Sequence, residues 1–525
     1  MPRQDDPARH LTNALNNRPR PELTTLPSLA MGLGLAAMLC SLLSGNGQLQ
    51  AAPQPPGLGD PGKLVSVQLE RPHALVMRGR DARQQLVVTG RYSSGQRRDL
   101  TSQVRYTVQP AGVVTIDSSG FVTPVGSGQA EVTATAAGGL KSTLPVEVQS
   151  FDQHIPINFP NQITPIFSKL GCNSGGCHGK SSGQNGFKLS LLGFYPDEDY
   201  EYLVKESRGR RLFPASPDNS LLLQKATNSL AHGGGQRLET DSYEYSLLRS
   251  WIAQGLPYGN EDDPTVTRIE VFPGERTMDR GSEQQLAVYA HFSDVSVQDI
   301  TRVAQYESND AEMAEATRTG LVRTLDGAGE AAVMIRFQGQ VAVFRASLPL
   351  GVAVTSLPPE RNFIDKLTFA KLKQLGIPPS GLASDSMFVR PLYLDLTGRL
   401  PSAEQAQAFA ESKDPHKRDK LIDELLNSGA YADYFGNKWS AILRNQRVNA
   451  TYTRGTYAFH DWIRESFRRN KPYDEFVRQI LAASGDISQN PPVVGYRSVN
   501  NNLLQLEDAA QLFLGLRIQC ARCHH

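Results

Sequence analysis

The sequence predicts a multidomain chain: two all-β sandwiches, one small all-α unit between them, and one mainly α C-terminal domain. Length is the first observation, because 525 residues at roughly 100 to 200 per domain call for three to five folding units. A repeat is the second. Tyr92, Asp99, Thr101 and Gly120 return as Phe292, Asp299, Thr301 and Gly320, each displaced by 200 positions, so two stretches are copies of one module. The third is a change of period. Short alternating runs between turns dominate before residue 350, and apolar residues spaced three to four apart dominate after 360.

Residues 1–52 read as a signal peptide. Arg3, Arg9, Arg18 and Arg20 precede an uncharged apolar stretch from Leu26 to Leu43, and small residues follow around Ala51 and Ala52. If uncleaved, that stretch would be a membrane anchor, the chain's one membrane contact. Either way the body is expected to be exported, to the periplasm or cell surface. Lys and Arg number 54 against 53 Asp and Glu, a net charge of +1, which excludes a nucleic-acid partner or an acidic membrane surface held by charge. Residues 53–63 are a Pro/Gly linker.

From 64 to 149, runs such as Gln85–Thr89 and Ala130–Thr135 lie between turn residues at intervals of about ten, the pattern of an antiparallel sandwich. Asp117-Ser-Ser-Gly-Phe-Val-Thr123 and Gly126-Ser-Gly-Gln-Ala-Glu-Val-Thr133 resemble the group 2 bacterial Ig-like domain, and residues 266–349 are the second Ig-like domain, keeping Gly320-Leu-Val322 and Gly327-Ala-Gly-Glu-Ala331. The resemblance implies a spacer or adhesive module.

Residues 159–258 form the unit between. Ile163–Leu170 is a short helical pattern running into Cys172. Near its other end Asp241-Ser-Tyr-Glu244 starts a helix that places Leu247, Leu248, Trp251 and Ile252 on one face. After 360, helices are expected over Phe363–Leu375, Ser402–Glu411, Lys417–Leu426, Tyr457–Phe467 and Asp474–Ala482. This last region, 361–525, ends at its cysteine motif and is expected to be incomplete.

Of five cysteines, Cys40 lies in the leader and the other four stand in two Cys–His clusters. Cys520-Ala-Arg-Cys523-His524 has the C-x-x-C-H spacing of covalent haem attachment, with two thiols for the porphyrin vinyls and a histidine for the iron. The alternatives are a redox C-x-x-C or half of a zinc site. Cys172 and Cys177, followed by His178, are separated by four residues. They read as haem anchors with His178 as proximal ligand, as a zinc site completed by His232, or as a disulfide.

Residues 172–259 contain no methionine and only the histidines His178 and His232, so a haem there would take His232 as its distal ligand. For the second cluster, His460 and His525 are the nearest candidates for that position. Arg208, Arg210 and Arg211 could meet haem propionates or form a solvated loop, and Asp395 is read as a turn or cap residue before Gly398 rather than a buried acid.

Gly171–Gly179, Asn185–Ser190, Pro217–Leu222, His232–Gly235 and Trp251–Gly255 resemble the planctomycete-type cytochrome c domain. It departs from that family in having four residues between the cysteines and His-Gly-Gly in place of Met-Pro-Pro. Tyr393–Pro401, Lys471–Val477 and Gln511–His524 resemble the cytochrome-associated domain of unknown function that accompanies it. These resemblances imply an exported c-type cytochrome-like protein that carries one or two haem c groups and exchanges electrons with envelope redox proteins. It would be an electron carrier rather than an enzyme. The rival expectation is an envelope scaffold or adhesion protein whose Cys–His clusters hold zinc or disulfides.

Overall fold

A computed structural model of the chain describes residues 57–70, 73–153 and 155–522. The export segment at 1–52, linker residues 53–56 and residues Cys523, His524 and His525 lie outside the described residues. From Pro56 onward the chain forms one compact unit.

The β pattern before residue 150 folds as three sheets. The strand Val87–Tyr92 lies between Leu64–Glu70 and Arg97–Asp99; a four-stranded sheet runs Leu75–Arg78, Lys141–Gln149, Gly128–Thr135, Arg105–Gln109; and Phe121–Pro124 lies between Gln84–Gln85 and Val114–Ile116. Alternating residues of these strands, among them Val88, Val122, Val132 and Val146, make one buried core. Strand order repeats in the second copy. Ala287–Phe292 sits between Val266–Phe272 and Val297–Asp299, Gln340–Leu348 pairs with Gly329–Phe337, and Val288, Val322, Val333 and Phe344 fill an equivalent core.

The residues that revealed the repeat do the same work twice. Thr101 Oγ1 accepts from Val88 N at 3.0 Å, and Thr301 Oγ1 accepts from Val288 N at 2.8 Å. Tyr106 donates to the Thr101 carbonyl, and Tyr306 to the Thr301 carbonyl, both at 2.8 Å. Gly120 and Gly320 have φ of 75° and 80°. A Cβ there would come within 2.9 Å and 2.8 Å of the Tyr106 and Tyr306 hydroxyls, so glycine is required on both counts.

The two sandwiches meet through the sheets built on Val87–Tyr92 and Ala287–Phe292, with Val87, Ala287 and Tyr289 buried between them. The joint is reciprocal. Asp99 Oδ2 accepts from Gln285 N at 2.9 Å while Asp299 Oδ2 accepts from Gln85 N at 2.8 Å. Arg276 reaches across to Glu70 at 3.7 Å, and both side chains are only 6% exposed, which satisfies a charge pair that would be costly if either partner were alone.

Residues 155–265 consist of short helices and turns, with one isolated bridge between Gln184 and Phe187. Helix Thr164–Lys169 forms where the pattern placed it. Ser242 caps helix Tyr243–Ala253 by accepting from Tyr245 N, and Leu247, Leu248, Trp251 and Ile252 are its buried face. Lys169 pairs with Glu244 at 2.8 Å and also donates to the Arg302 carbonyl of the second sandwich. Tyr243 donates to the Asp81 carbonyl of the first. The unit is therefore tied to both sandwiches.

The C-terminal region is helical, as its periodicity indicated: Phe363–Leu375, Ala403–Glu411 with its Ser402/Gln405 capping box, Lys417–Leu426, Thr453–Arg468 and Tyr473–Leu481. Three further helices, Asp385–Thr397, Gly429–Ile442 and Asn502–Ala509, were not anticipated. Asp395 is exposed in the last turn of the first of these, which ends at left-handed Gly398. No helix among the described residues is long and apolar enough to cross a membrane.

Candidate functional site

Helix Thr164–Lys169 buries Ile166 and Phe167 and delivers the chain to Cys172, whose N–H donates to the Phe167 carbonyl at 2.8 Å. The next residues coil back on themselves. Cys177 N donates to Ser174 O at 3.0 Å and His178 N to Cys172 O at 2.9 Å, which brings both thiols and the His178 imidazole into one loop. Cys172 and Cys177 are half-buried and unbridged, so the disulfide expected as one alternative is not formed here. Burial pushes the Cys172 thiol up to about 11, and the neighbouring Cys177 adds to the shift.

His178 Nδ1 lies 3.0 Å from the Phe187 carbonyl. A carbonyl oxygen only accepts, so Nδ1 carries the proton and Nε2 presents its lone pair. Burial lowers the His178 pKa from its usual value, and the bond to Phe187 offsets only part of that. The imidazole is neutral at pH 7. Phe187 is itself held in place: its ring centre is 4.6 Å from that of His178, and the Arg211 guanidinium lies 4.8 Å over its ring.

His232 is prepared the same way on a separate loop. Its Nδ1 donates to the Gly235 carbonyl at 2.9 Å, and Gly235 N returns a bond to the His232 carbonyl at 2.9 Å. Arg237 Nε fastens the loop to Gly234 O at 2.8 Å. The two imidazole rings have centres 6.3 Å apart and planes within 5° of parallel. An ion ligated by two imidazoles at about 2 Å from each nitrogen places ring centres about 6 Å apart. Two tautomers fixed by backbone carbonyls, with both Nε2 atoms free, are the support such a ligand pair requires.

Other candidate residues lie apart from this pair. Among the described residues, the one group of three or more Cys, His, Asp or Glu ligand atoms lying within 4.8 Å of one another is at His73, Glu270 and His291. Arg211 is not a solvated loop residue. It is buried, donating to the carbonyls of Tyr202, Glu206 and Gly186, whereas Arg208 and Arg210 are exposed. His460 is engaged with Asn437 Oδ1 at 3.0 Å, which occupies its Nε2. At the second cluster, Cys520 is exposed in the turn Gln519–Arg522, and Arg522 anchors that turn to Glu507 at 2.6 Å.

Sequence reasoning passed over His73, Glu270 and His291 because no spacing links them. They meet only where the two sandwiches join.

Residues 66–145 match the bacterial Ig-like domain (group 2), and residues 363–525 match PSCyt2, described as a protein of unknown function (DUF1549). Neither match reaches the unit that carries Cys172 and His232. No curated protein matches the chain. Similar solved structures include the S-layer protein rSbsC(31-844), at 9% identity over 62% of this chain and TM-score 0.15. This chain spans 33% of that one. Domains 5–6 of the S-layer protein SbsC align at 11% identity over 54% of this chain and 97% of that one, with TM-score 0.22. The D00-D0 domain of Intimin aligns at 8% identity, 54% and 97% coverage and TM-score 0.13. The chain thus joins a group 2 Ig-like domain to a C-terminal DUF1549 region.

Proposed function

We propose that residues 159–258 bind one haem c and that the exported protein carries electrons at the cell envelope. The observation behind this reading is the His178–His232 pair: parallel rings 6.3 Å apart, each with Nδ1 tied to a backbone carbonyl and Nε2 free, beside two unbridged thiols. In this reading His178 and His232 would hold the iron and Cys172 and Cys177 would anchor the porphyrin, while Cys520, Cys523 and His524 would hold a second group. Bound haem would supply one-electron chemistry at its iron, at a lower potential than a His/Met cytochrome because no thioether ligates it. The chain's own part is to keep both imidazoles oriented, with Phe187 and Arg211 bracing one and the Gly233–Gly235 turn the other. The sandwiches would space this unit from the envelope surface, and its partners would be envelope redox proteins.

A haemochrome assay tests this on protein matured in a host with haem-ligation machinery, denatured and extracted with acid-acetone. Residual covalent haem is expected, and its loss in the Cys172→Ser/Cys177→Ser variant assigns it to this unit. Protein without haem that still folds would instead favour the envelope scaffold, whose case rests on the reciprocal joint between the sandwiches.

A further inference from the structure

We propose that His73, Glu270 and His291 form a divalent-cation site of the zinc class that clamps the two β-sandwiches together. His73 comes from the turn before strand Leu75–Arg78 of the first sandwich. Glu270 and His291 come from the neighbouring strands Val266–Phe272 and Ala287–Phe292 of the second. Glu270 Oε2 lies 2.9 Å from His291 Nε2 and 3.4 Å from His73 Nε2. Tetrahedral ligation at about 2 Å from each atom separates neighbouring donors by about 3.3 Å, so a cation enters with small side-chain shifts.

Two further observations favour a ligand. His73 Nε2 is buried and without a hydrogen-bond partner, and such an orphan is costly in a protein interior. The other two ligands also break the symmetry of the repeat. By strand register, Glu270 opposite Tyr289 corresponds to Gln68 opposite Thr89, and His291 to Arg91. The first sandwich therefore offers no counterpart, and the set is not a by-product of the shared module. Two imidazoles and a carboxylate suit zinc and its neighbours better than calcium or magnesium, and three protein ligands at a half-exposed rim leave the fourth position to water.

Arg268 is the competitor. It donates to Glu270 Oε2 at 3.3 Å and approaches His291 Nδ1 at 3.2 Å. With Nδ1 as acceptor, His291 Nε2 holds the proton. Cation binding at Nε2 shifts that proton to Nδ1, which can then no longer accept from Arg268, so Arg268 must withdraw. Its side chain is 59% exposed, so the withdrawal breaks only a weak surface contact.

The cysteine clusters would also take zinc, so the test uses full-length chain with Cys172, Cys177, Cys520 and Cys523 changed to Ser, stripped by chelator and titrated with zinc, then with cobalt(II). One equivalent of each is expected to bind, with cobalt showing ligand-field bands and no thiolate charge-transfer band, and the cation is expected to raise the melting temperature. His73→Ala and Glu270→Gln should weaken binding by more than about 100-fold, with circular dichroism verifying the fold. Arg268→Ala should tighten it, a change of sign that a merely structural role for these residues does not produce. Absence of a bound equivalent, binding indifferent to His73→Ala, or weaker binding in Arg268→Ala would each overturn the proposal.

Discussion

The histidines of the helical unit and those of the sandwich joint differ in which ring nitrogen is already engaged. His178 and His232 use Nδ1 on backbone carbonyls and keep Nε2 free, with a 6.3 Å gap between ring centres. At the joint, His291 uses Nε2 on Glu270 at 2.9 Å and meets Arg268 through Nδ1. One pair is held apart by loops, at about the spacing that two imidazoles take on a single ion. The other converges with a carboxylate on an ion-sized space, supported by strands. The difference teaches that histidine count says little, whereas the support behind each ring says what can be bound. A cluster on a β framework is fixed by register, and a pair on loops depends on the core beneath them.

That dependence gives the largest expected effect. Trp251 is fully buried and donates from Nε1 to the Pro257 carbonyl at 2.8 Å, with Phe159 against its ring. Trp251→Ala should cost about 3–5 kcal/mol, enough to loosen residues 155–265 and expose them to limited proteolysis. Cation affinity at His73, Glu270 and His291 should survive, because none of those residues stands on this unit. Equal loss at both places would show that the joint leans on the helical unit and erase the contrast.

A smaller effect sharpens the other side of the comparison. Enclosure at the joint raises Asp99 and Asp299 to about 6, outweighing the bonds they accept from Thr101 and Gln285, and from Gln85 and Thr301. Arg276 and Arg302 oppose the rise at each. The folded state then holds protons that the unfolded chain releases between pH 4 and 6, so this contribution favours folding at low pH and declines as pH rises through 6, by roughly 3 kcal/mol per residue. Denaturant unfolding of the wild type minus Asp99→Asn should therefore show a stability difference that changes between pH 4 and 6 and is flat above 7. A difference that tracks pH 6 to 8 instead would place the titration on the histidines.

How much of this was legible follows from where each signal sits. The β repeat could be read because Asp99, Thr101 and Gly120 are individually required: the carboxylate crosses the joint, the hydroxyl closes a strand and the glycine clears a tyrosine. His178 and His232 stand out because the unit has no other histidine. Helix Asp385–Thr397 was missed because Pro391 interrupts its interior. Helix Gly429–Ile442 was missed because its buried residues are Ala432, Gly436 and Ser440, too small to make an apolar stripe. The cluster at the joint has no linear signature at all. Its ligands become neighbours only after two modules fold and dock.

The smallest effect on stability carries the clearest readout of the loop pair. His232 is a half-exposed loop residue, so His232→Ala should shift overall stability by less than about 1 kcal/mol. Within this unit it is nevertheless the one histidine besides His178, and no methionine lies between residues 172 and 259. In haem-loaded protein, His232→Ala should convert a low-spin ferric spectrum to high-spin and let carbon monoxide bind the reduced form. His232→Met should restore the low-spin state at a higher potential, since a thioether favours ferrous iron. His178→Ala should instead impair haem retention or leave a different high-spin species, because that ring stands next to the anchoring thiols. A low-spin spectrum that survives His232→Ala would mean the sixth ligand comes from outside residues 159–258, and the parallel rings would then be a feature of the loop rather than of ligation.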